Sequence, residues 1–279
     1  MDQISPTTPA DLWTARFGTE PRGWDIPPPL APLLDRRVTR RYRPEPVAEP
    51  LLDALLAAAQ SAPSKSDLQQ YSVVVMRDPA RIKRIADWIG TMPWIASAPV
   101  FLVWCADMRR GQLLCALHGM PHANNNLDTF LNTAVDCALA MAAFMAAAEA
   151  AGLGTCPISY VRSHIEKVTP LLGLPAGVFP VAGLTLGWPD GRRPTSMRLP
   201  PSVVVHRERY DDGALEPAVR AYDTRRHARE PVAPGSQKSR DVYPPREGVG
   251  WSENLARQLS VPERFGFAAY LKTRGFDLA

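Results

Sequence analysis

Residues 126–152 read NLDTFLNTAVDCALAMAAFMAAAEAAG, which is the strongest helical pattern in the chain. Apolar side chains occur on nearly every side of this helix, so we expect it to be buried in the core or in a subunit interface. Gly152 predicts where the helix ends. The longest apolar stretch within it, residues 137–148, is too short to span a bilayer and is flanked by Asp136 and Glu149. We therefore expect no membrane contact.

Short apolar runs on both sides of this helix predict buried strands. They are rich in Val, Phe or Leu and lack a clean alternation of polar and apolar residues, as strands covered on both faces do. The predicted strands are residues 71–76, 100–105 and 179–186. Between and after them, patterns predict helices at 51–59, 79–89, 162–172 and 211–229, extended chain at 200–205, a mobile loop at 231–250 and a last helix ending near Lys272. Strands separated by helices indicate a single α+β or α/β unit.

The composition of the 279 residues is that of an ordinary globular protein, with 46% hydrophobic and 22% charged residues and a net charge of +4. This charge permits an acidic small-molecule ligand but is too small for a dedicated nucleic-acid-binding protein. The four cysteines and five histidines show no spacing typical of a metal site or a disulfide framework. The first residues lack the basic start and apolar segment of a signal peptide, so we expect a cytoplasmic protein without a metal.

A second informative stretch, residues 36–43, reads RRVTRRYR and holds five arginines. Arginine is always ionised, and its planar fork of donors suits a phosphate group. By itself the cluster is equally well explained by a solvated basic turn. A basic adaptor that binds nucleic acid ranks lower, because only Tyr42 supplies an interleaved aromatic ring and acidic residues follow at Glu45 and Glu49.

The usual catalytic signatures are missing from the sequence, which has no HExxH, no GxSxG elbow, no Walker A loop and no GxGxxG after a strand. If the protein is an enzyme, a cofactor therefore carries the difficult chemistry. Further segments are suited to binding one. They are the hydroxyl- and amide-rich residues 62–70, a loop at 152–160 that presents backbone N–H groups, and residues 187–200, which place an arginine after a strand.

In order and spacing these segments resemble the FMN-dependent nitroreductase superfamily, in particular its oxygen-insensitive NADPH nitroreductases and NADPH–flavin oxidoreductases. The resemblance runs from near residue 30 to residue 279 and is most specific at Leu-Gly-Trp-Pro, residues 186–189, with Arg-Leu-Pro at 198–200. It implies an α+β, three-layer fold with a mixed, mainly antiparallel sheet flanked by helices, in an intertwined homodimer. It divides the chain into an N-terminal extension (1–29), an FMN-binding core (30–210) and C-terminal helices with a mobile loop that wrap the core or the partner (211–279).

The arginine cluster falls on the family's first FMN-binding motif. The resemblance implies that Arg37 pairs with the FMN phosphate and that Arg40 lies near N1 and O2 of the isoalloxazine ring, where a fixed cation favours the reduced flavin. Val38 replaces a serine of that motif. Arg41 and Arg43 receive no role and are expected to face solvent.

A second phosphate-binding motif, Lys-Pro-Arg in the family, is represented here by residues 196–198. Ser196 stands where the family has the lysine, and Arg198 is kept as a phosphate ligand. Arg36 replaces a histidine of the first motif, and we expect it to offset the missing lysine.

Further flavin contacts implied by the resemblance come from three segments. One of these segments, residues 64–66, reaches the flavin that is bound mainly by the partner subunit. This places FMN at the interface of a homodimer. The residues are Ser64, Lys65, Ser66, Gln69, Met92, Pro157, Ile158, Ser159 and Tyr160. Met92 replaces a glutamine that faces the ribityl chain or ring edge. A backbone N–H of Ser159 is expected near flavin N5, and the bulk of Tyr160 narrows the site.

Relatives that prefer NADPH contact its 2′-phosphate with arginines in the loop before the last helices, and the corresponding positions here are Pro234 and Ser239. Lys238 and Arg240 lie beside them and are the candidates for binding NADPH or NADH. Bound FMN is expected to accept a hydride from NAD(P)H and to reduce a small-molecule acceptor (a nitroaromatic, quinone or flavin) in ping-pong order, with no catalytic side chain. The alternatives are an NAD(P)H–flavin reductase and a specialised biosynthetic flavin oxidoreductase.

Overall fold

The computed structural model describes residues 8–21, 23 and 25–279. The first six residues, which were expected to lack a signal peptide, lie outside this range. The chain forms two compact units. We call one the helical unit, made of the described residues up to Arg37 and of Pro194–Glu263, and the other the sheet unit, made of Val38–Arg193 and Arg264–Ala279.

An antiparallel sheet forms the framework of the sheet unit. Its strands are β1 (Tyr71–Met76), β2 (Val100–Asp107), β3 (Gly154–Ile158) and β4 (Val178–Gly187), in the order β1-β2-β4-β3. Every pairing within it is antiparallel, which confirms the predicted α+β class with a mainly antiparallel sheet. The inner strands β2 and β4 are buried almost throughout, so their sequences show no alternation.

Strand β3 is a strand that sequence reasoning missed. Residues 152–160 predicted a loop, but Gly154–Ile158 pairs with β4 from Gly187 to Gly183. Glycine and proline weaken a strand pattern, and Pro157 is tolerated because β3 is an edge strand. The segment therefore carries its backbone to a defined place at the edge of the sheet.

Helices surround the sheet and build the other unit. Numbered along the whole chain, the α-helices among the described residues are α1 (Pro9–Phe17), α2 (Ala31–Leu34), α3 (Glu49–Gln60), α4 (Pro79–Ile89), α5 (Arg109–Leu117), α6 (Leu127–Ala150), α7 (Ile165–Leu172), α8 (Pro201–Val204), α9 (Leu215–Arg229), α10 (Trp251–Leu259) and α11 (Phe267–Thr273). Short 3-10 helices lie at Pro28–Leu30, Lys65–Asp67, Pro93–Ser97, Ser159–His164 and Pro234–Ser236.

The core of the sheet unit covers both faces of the sheet. Side chains of β2 alternate between the faces. Trp104 packs edge-on against Phe144 of α6, with ring centroids 5.5 Å apart. Phe101 packs on the opposite face with Ile82 and Ile85 of α4. Burial of each such side chain contributes about 1.5–3 kcal/mol, so the two layers fix the sheet between α6 and α4.

The long helix α6 is buried on one face only. It begins after Asn126, whose side chain accepts from the Thr129 N–H, and it ends before Gly152, where φ is +82°. The predicted core position is confirmed for the face that carries Cys137 and Phe144. By length and composition alone the helix could cross a membrane, a property that it shares with the core helices of soluble proteins.

The helical unit differs in detail from the sequence predictions. The segment predicted as extended forms the short helix α8, and α10 was not predicted. Tyr222 of α9 packs edge-on against Trp251 of α10 at 5.1 Å, and Ser252 N–H donates to Asp223 at 3.0 Å. The loop 231–250 contributes buried residues, among them Gln237 and Val249. Its composition concealed these anchors, because most side chains of the loop are exposed.

Candidate functional site

The arginines of residues 36–43 are divided between the two units. Arg36 and Arg37 belong to the helical unit, whereas Arg40, Arg41 and Arg43 belong to the sheet unit. Each group is held by contacts within its own unit.

In the sheet unit, residues 39–43 lie beside β3 and the end of β4. Thr39 N–H donates to the Thr155 carbonyl at 2.9 Å, and Arg43 N–H donates to the Trp188 carbonyl at 2.9 Å. The Tyr42 hydroxyl donates to the Thr39 carbonyl at 2.8 Å and lies 2.6 Å from the Thr185 hydroxyl. Burial raises the pKa of Tyr42, so the phenol stays neutral at all ordinary pH values. The segment that carries Arg40 is therefore firmly attached to the sheet.

Arg40 is exposed, and its guanidinium lies 5.7 Å from the centre of the Trp94 ring. Met92 precedes the same short helix that contains Trp94. The structure thus brings together two predicted site segments, around Arg40 and around Met92. Trp94 was missed as a site neighbour, since an isolated tryptophan near a strand reads as a core residue.

Arg41 and Arg43 are exposed, as expected from the sequence. Arg41 pairs with Asp190 at 3.3 Å and Arg43 with Glu45 at 3.5 Å. Exposed pairs of this kind contribute little to stability. Both side chains are surface groups held near the sheet edge.

The predicted ring loop begins directly at the end of β3. Ile158 is buried at the last strand position, and Ser159 is exposed at the first position of the 3-10 helix Ser159–His164. The Tyr160 ring lies 5.9 Å from the Arg264 guanidinium, which also donates to the Ser163 hydroxyl at 3.0 Å. Strand pairing on one side and Arg264 on the other therefore fix the turn.

The segment 64–70 is fastened to α6 by a buried carboxylate. Asp136, 1% exposed, accepts from the Lys65 N–H at 2.9 Å and from the Gln70 N–H at 3.0 Å. Three residues of the segment are in the left-handed region, Ser66 at φ +49°, Asp67 at +57° and Gln69 at +51°. Such conformations are costly for non-glycine residues and persist where the surroundings hold them. Sequence reasoning missed Asp136, although an acidic residue within an apolar helix was a usable signal.

Within the described sheet unit, no hydrogen bond or ion pair joins the segment 64–70 to Arg40 or to Ser159. Gln69 instead contacts its own neighbours, its N–H donating to the Ser64 hydroxyl at 3.3 Å and its amide to Asp67 at 3.0 Å. The side chains of Ser66 and Lys65 stay on the surface. The segment 64–70 is therefore held by its own contacts and by Asp136.

The predicted phosphate ligands lie in the helical unit. The Arg37 guanidinium forms an ion pair with Asp35 and donates from Nε to the Asp35 carbonyl at 3.0 Å. Arg198 is exposed and donates to the Ser196 hydroxyl at 3.3 Å. Two guanidinium groups and a hydroxyl are the donors that a phosphate monoester needs, although Asp35 competes for Arg37. The donor set fits a phosphate.

Lys238 and Arg240, the candidates for NAD(P)H, are both exposed on the loop of the helical unit. The backbone beneath them is anchored, since Lys238 N–H donates to the Asn254 side chain at 2.8 Å and the Ser239 hydroxyl donates to the Arg257 carbonyl at 2.8 Å. Two exposed cations on a fixed backbone are suited to an anionic group. Among the described residues, no cluster of three or more His, Cys, Asp or Glu side chains is placed to hold a metal ion.

Comparison with known proteins decides the family. Residues 33–188 match the Nitroreductase family, and residues 196–279 match the C-terminal domain of that family. The chain belongs to the nitroreductase family. The resemblance stated from the sequence motifs is thereby confirmed.

Relatives within the nitroreductase family cover most of the chain. It is 42% identical over 194 residues (68% of this chain, 78% of the relative) to the FMN reductase (NAD(P)H) of Bacillus subtilis. It is 33% identical over 250 residues (89% and 98%) to the oxygen-insensitive NADPH nitroreductase of Salmonella typhimurium. Its fold resembles the solved NADPH:FMN oxidoreductase of Vibrio harveyi complexed with NAD⁺, with a TM-score of 0.76 and 27% identity, covering 88% of this chain and 97% of the other.

Proposed function

We propose that this nitroreductase-family protein is an FMN-dependent NAD(P)H oxidoreductase that reduces small-molecule acceptors such as nitroaromatics, quinones or flavins. Family membership and the names of the relatives support the reaction class. The observation that carries the proposal for this chain is the hydrogen bond from Thr39 to Thr155, which sets the segment bearing Arg40 directly beside β3. This strand ends at Ile158, immediately before Ser159. A cation and a backbone donor are thus held on neighbouring segments.

FMN, when bound, supplies hydride acceptance and donation at its N5 atom. Arg40 would stabilise the negative charge that a flavin ring gains on reduction, since a guanidinium keeps its charge at any working pH. Arg36, Arg37, Ser196 and Arg198 would bind the phosphate. The remaining binding residues are Val38, Gln69, Met92, Pro157, Ile158, Ser159 and Tyr160, and none of them needs to transfer a proton.

A homodimer with FMN at its interface is part of the proposal. Leu127, Leu131, Val135 and Leu139 follow one another at intervals of four residues along α6 and are 40–57% exposed. They form an apolar stripe of the kind that a partner covers. Ser64, Lys65 and Ser66 would contact the flavin of the partner, and the exposure of Lys65 and Ser66 leaves both accessible to it.

The electron donor is NADPH or NADH, held through Lys238 and Arg240, and the protein acts in the cytoplasm. Free flavin is the acceptor of the second candidate function, NAD(P)H–flavin reduction, which the 42% identity to an FMN reductase favours.

The proposal is tested by the absorption spectrum of the purified protein, followed by anaerobic titration with NADPH and with NADH. We expect a yellow protein whose bound FMN is bleached by at least one of the two donors. A colourless protein that cannot be reconstituted with FMN overturns the proposal.

The role of Arg40 is tested by Arg40→Met against the control Arg41→Met, which removes a neighbouring exposed arginine. Loss of a charge-assisted contact is expected to slow reduction of FMN by about tenfold or more in the first variant only, since each 1.36 kcal/mol is a factor of ten. Equal rates for both variants would show that Arg40 does not act on the ring.

A further inference from the structure

Arg16 lies in the last turn of α1, and it is 7% exposed. Its guanidinium donates to the backbone carbonyls of Leu34, Ser196 and Arg36. Nε and Nη2 donate to the Leu34 carbonyl at 3.1 and 2.9 Å, Nη1 donates to the Ser196 carbonyl at 2.8 Å, and Nη2 also donates to the Arg36 carbonyl. A buried guanidinium is costly unless its donors are used, and here the planar fork spreads its donors over separate stretches of chain.

Those stretches are the ones that carry the phosphate candidates. Residues 34–36 lead directly into Arg37, and Ser196 stands two residues before Arg198. A hydrogen bond in the opposite direction adds to these contacts, since the Arg198 N–H donates to the carbonyl of Arg16 itself at 2.7 Å. One residue therefore connects both proposed phosphate-binding segments, which are far apart in the sequence.

The end of α1 is anchored independently of Arg16. Arg229 of α9 donates to the Ala15 carbonyl at 2.6 Å and to the Thr195 carbonyl at 3.0 Å. Gly18, at φ +68°, ends the helix so close to Met197 that a Cβ there would require the Met197 side chain to move. Arg16 is thus presented from a fixed position, as a positioning group must be.

We propose that Arg16 is a positioning residue for FMN phosphate binding, and that α1 belongs to the cofactor site. Arg16 sets the spacing between Arg37 and Arg198 before the phosphate arrives, so that little order has to be gained on binding. The stretches that match the family, 33–188 and 196–279, both lie after α1, so this role belongs to the part of the chain outside them. The inference rests on the proposed function, since it concerns the same cofactor.

The test compares dissociation constants for FMN and for riboflavin, which lacks the phosphate, in the wild type, Arg16→Met, Arg16→Lys and the control Arg220→Met. Arg220 is an exposed arginine of α9 that pairs only with Glu216 in the described helical unit. We expect Arg16→Met to weaken FMN binding by about tenfold or more and to leave riboflavin binding unchanged, because hydrogen bonds from a charged donor that organise the phosphate ligands are lost. Arg16→Lys keeps the positive charge but lacks the planar set of guanidinium donors, so its FMN affinity should fall nearly as much as that of Arg16→Met. Arg220→Met should match the wild type.

The proposal is supported if the wild type binds FMN more tightly than riboflavin and both Arg16 variants lose this difference in affinity. The role of Arg16 is overturned if the Arg16 variants bind FMN and riboflavin with the same ratio of dissociation constants as the wild type, or if Arg16→Lys keeps full FMN affinity. Either result leaves the proposed function intact. A wild type that binds neither flavin overturns the proposed function and this inference with it. Thermal melting monitors folding, and if Arg16→Met does not fold, the same two constants for Arg16→Lys decide.

Discussion

The side chain of Thr39 lies directly against Gly154, so closely that a Cβ on Gly154 would lie 2.6 Å from the Thr39 Cβ and 2.7 Å from its Cγ2. Beside this contact, Thr39 N–H donates to Thr155. The absence of a side chain at residue 154 is therefore what lets the segment 39–43 approach β3. The position of Arg40 depends on this approach.

Gly154→Ala is expected to destabilise the protein by about 1–3 kcal/mol, because the added methyl group must displace Thr39 or the strand. FMN affinity should fall in parallel as Arg40 moves. Urea denaturation measures the free energy of unfolding. Gly235→Ala is the matched control, since nothing lies within 4 Å of a Cβ there. Equal stability of the two variants would contradict the close approach.

Asp136→Asn replaces one acceptor oxygen by an NH₂ group, which faces the N–H of either Lys65 or Gln70. The variant is expected to lose about 1–3 kcal/mol of stability, since a buried donor is left without its partner. FMN should bind more weakly if the segment 64–70 serves the flavin. Asp128→Asn is the control, because Asp128 lies exposed on the same helix and accepts from Asn132. Full FMN affinity in Asp136→Asn would show that the segment 64–70 does not contribute to FMN binding.

The double variant Leu131→Glu, Val135→Glu is expected to convert a dimer into a monomer, because it places two carboxylates in the exposed apolar stripe of α6. Light scattering after size-exclusion chromatography measures the mass. FMN should be lost together with the dimer. Leu259→Glu alters a leucine that is 75% exposed outside this stripe, so it should remain dimeric. A wild type that is monomeric with bound FMN would refute the interface.

Lys238→Ala combined with Arg240→Ala is expected to raise KM for NADPH by about tenfold and to leave KM for NADH nearly unchanged, because only NADPH carries the 2′-phosphate that these cations would contact. Steady-state rates with both donors measure the difference. An equal change of KM for NADPH and for NADH would mean that the two residues do not contact the 2′-phosphate.

The cysteines are expected to differ in reactivity, because three are buried and Cys115 is half-buried. Burial raises the pKa of Cys137 to about 12 and raises the pKa of Cys105 well above its ordinary value, so both stay protonated at pH 8, where only a thiolate reacts. We expect a single fast-reacting thiol per chain with dithionitrobenzoate, and none in Cys115→Ser. Fast labelling that survives this substitution would place another thiol at the surface.

The same shifts set the pH dependence of stability. An unfolded Cys137 releases its proton near its ordinary pKa of 9.0, whereas the folded thiol holds it up to about 12. The stabilisation from this thiol is complete below pH 9 and is lost as the pH rises towards 12, so the free energy of unfolding should fall over that range. Urea denaturation at pH 8 and pH 10 measures the fall, which should be smaller in Cys137→Ala.

Local pattern determined much of this fold in advance. The strand Tyr71–Met76 and the helix that Asp78 caps lie where the sequence predicted them, because a continuous apolar run and an N-cap before a proline are local signals. Strand β3 could not be found in this way. Its register comes from pairing with β4, a partner distant in sequence, and its glycine and proline conceal the pattern.

The residue types of the site were visible in the sequence, since arginines in a row and serines between helices are chemical signals that need no structure. What the sequence could not determine is which groups hold them in place. Asp136 fixes the segment 64–70 and Arg16 joins residues 34–36 to Ser196, and both act through backbone groups, which look the same in every sequence. The sequence by itself therefore determined the fold class, the family motifs and the charges available for a cofactor. Only the tertiary structure decided which buried side chains anchor those motifs, because hydrogen bonds to main-chain atoms depend on how distant stretches meet in the folded chain.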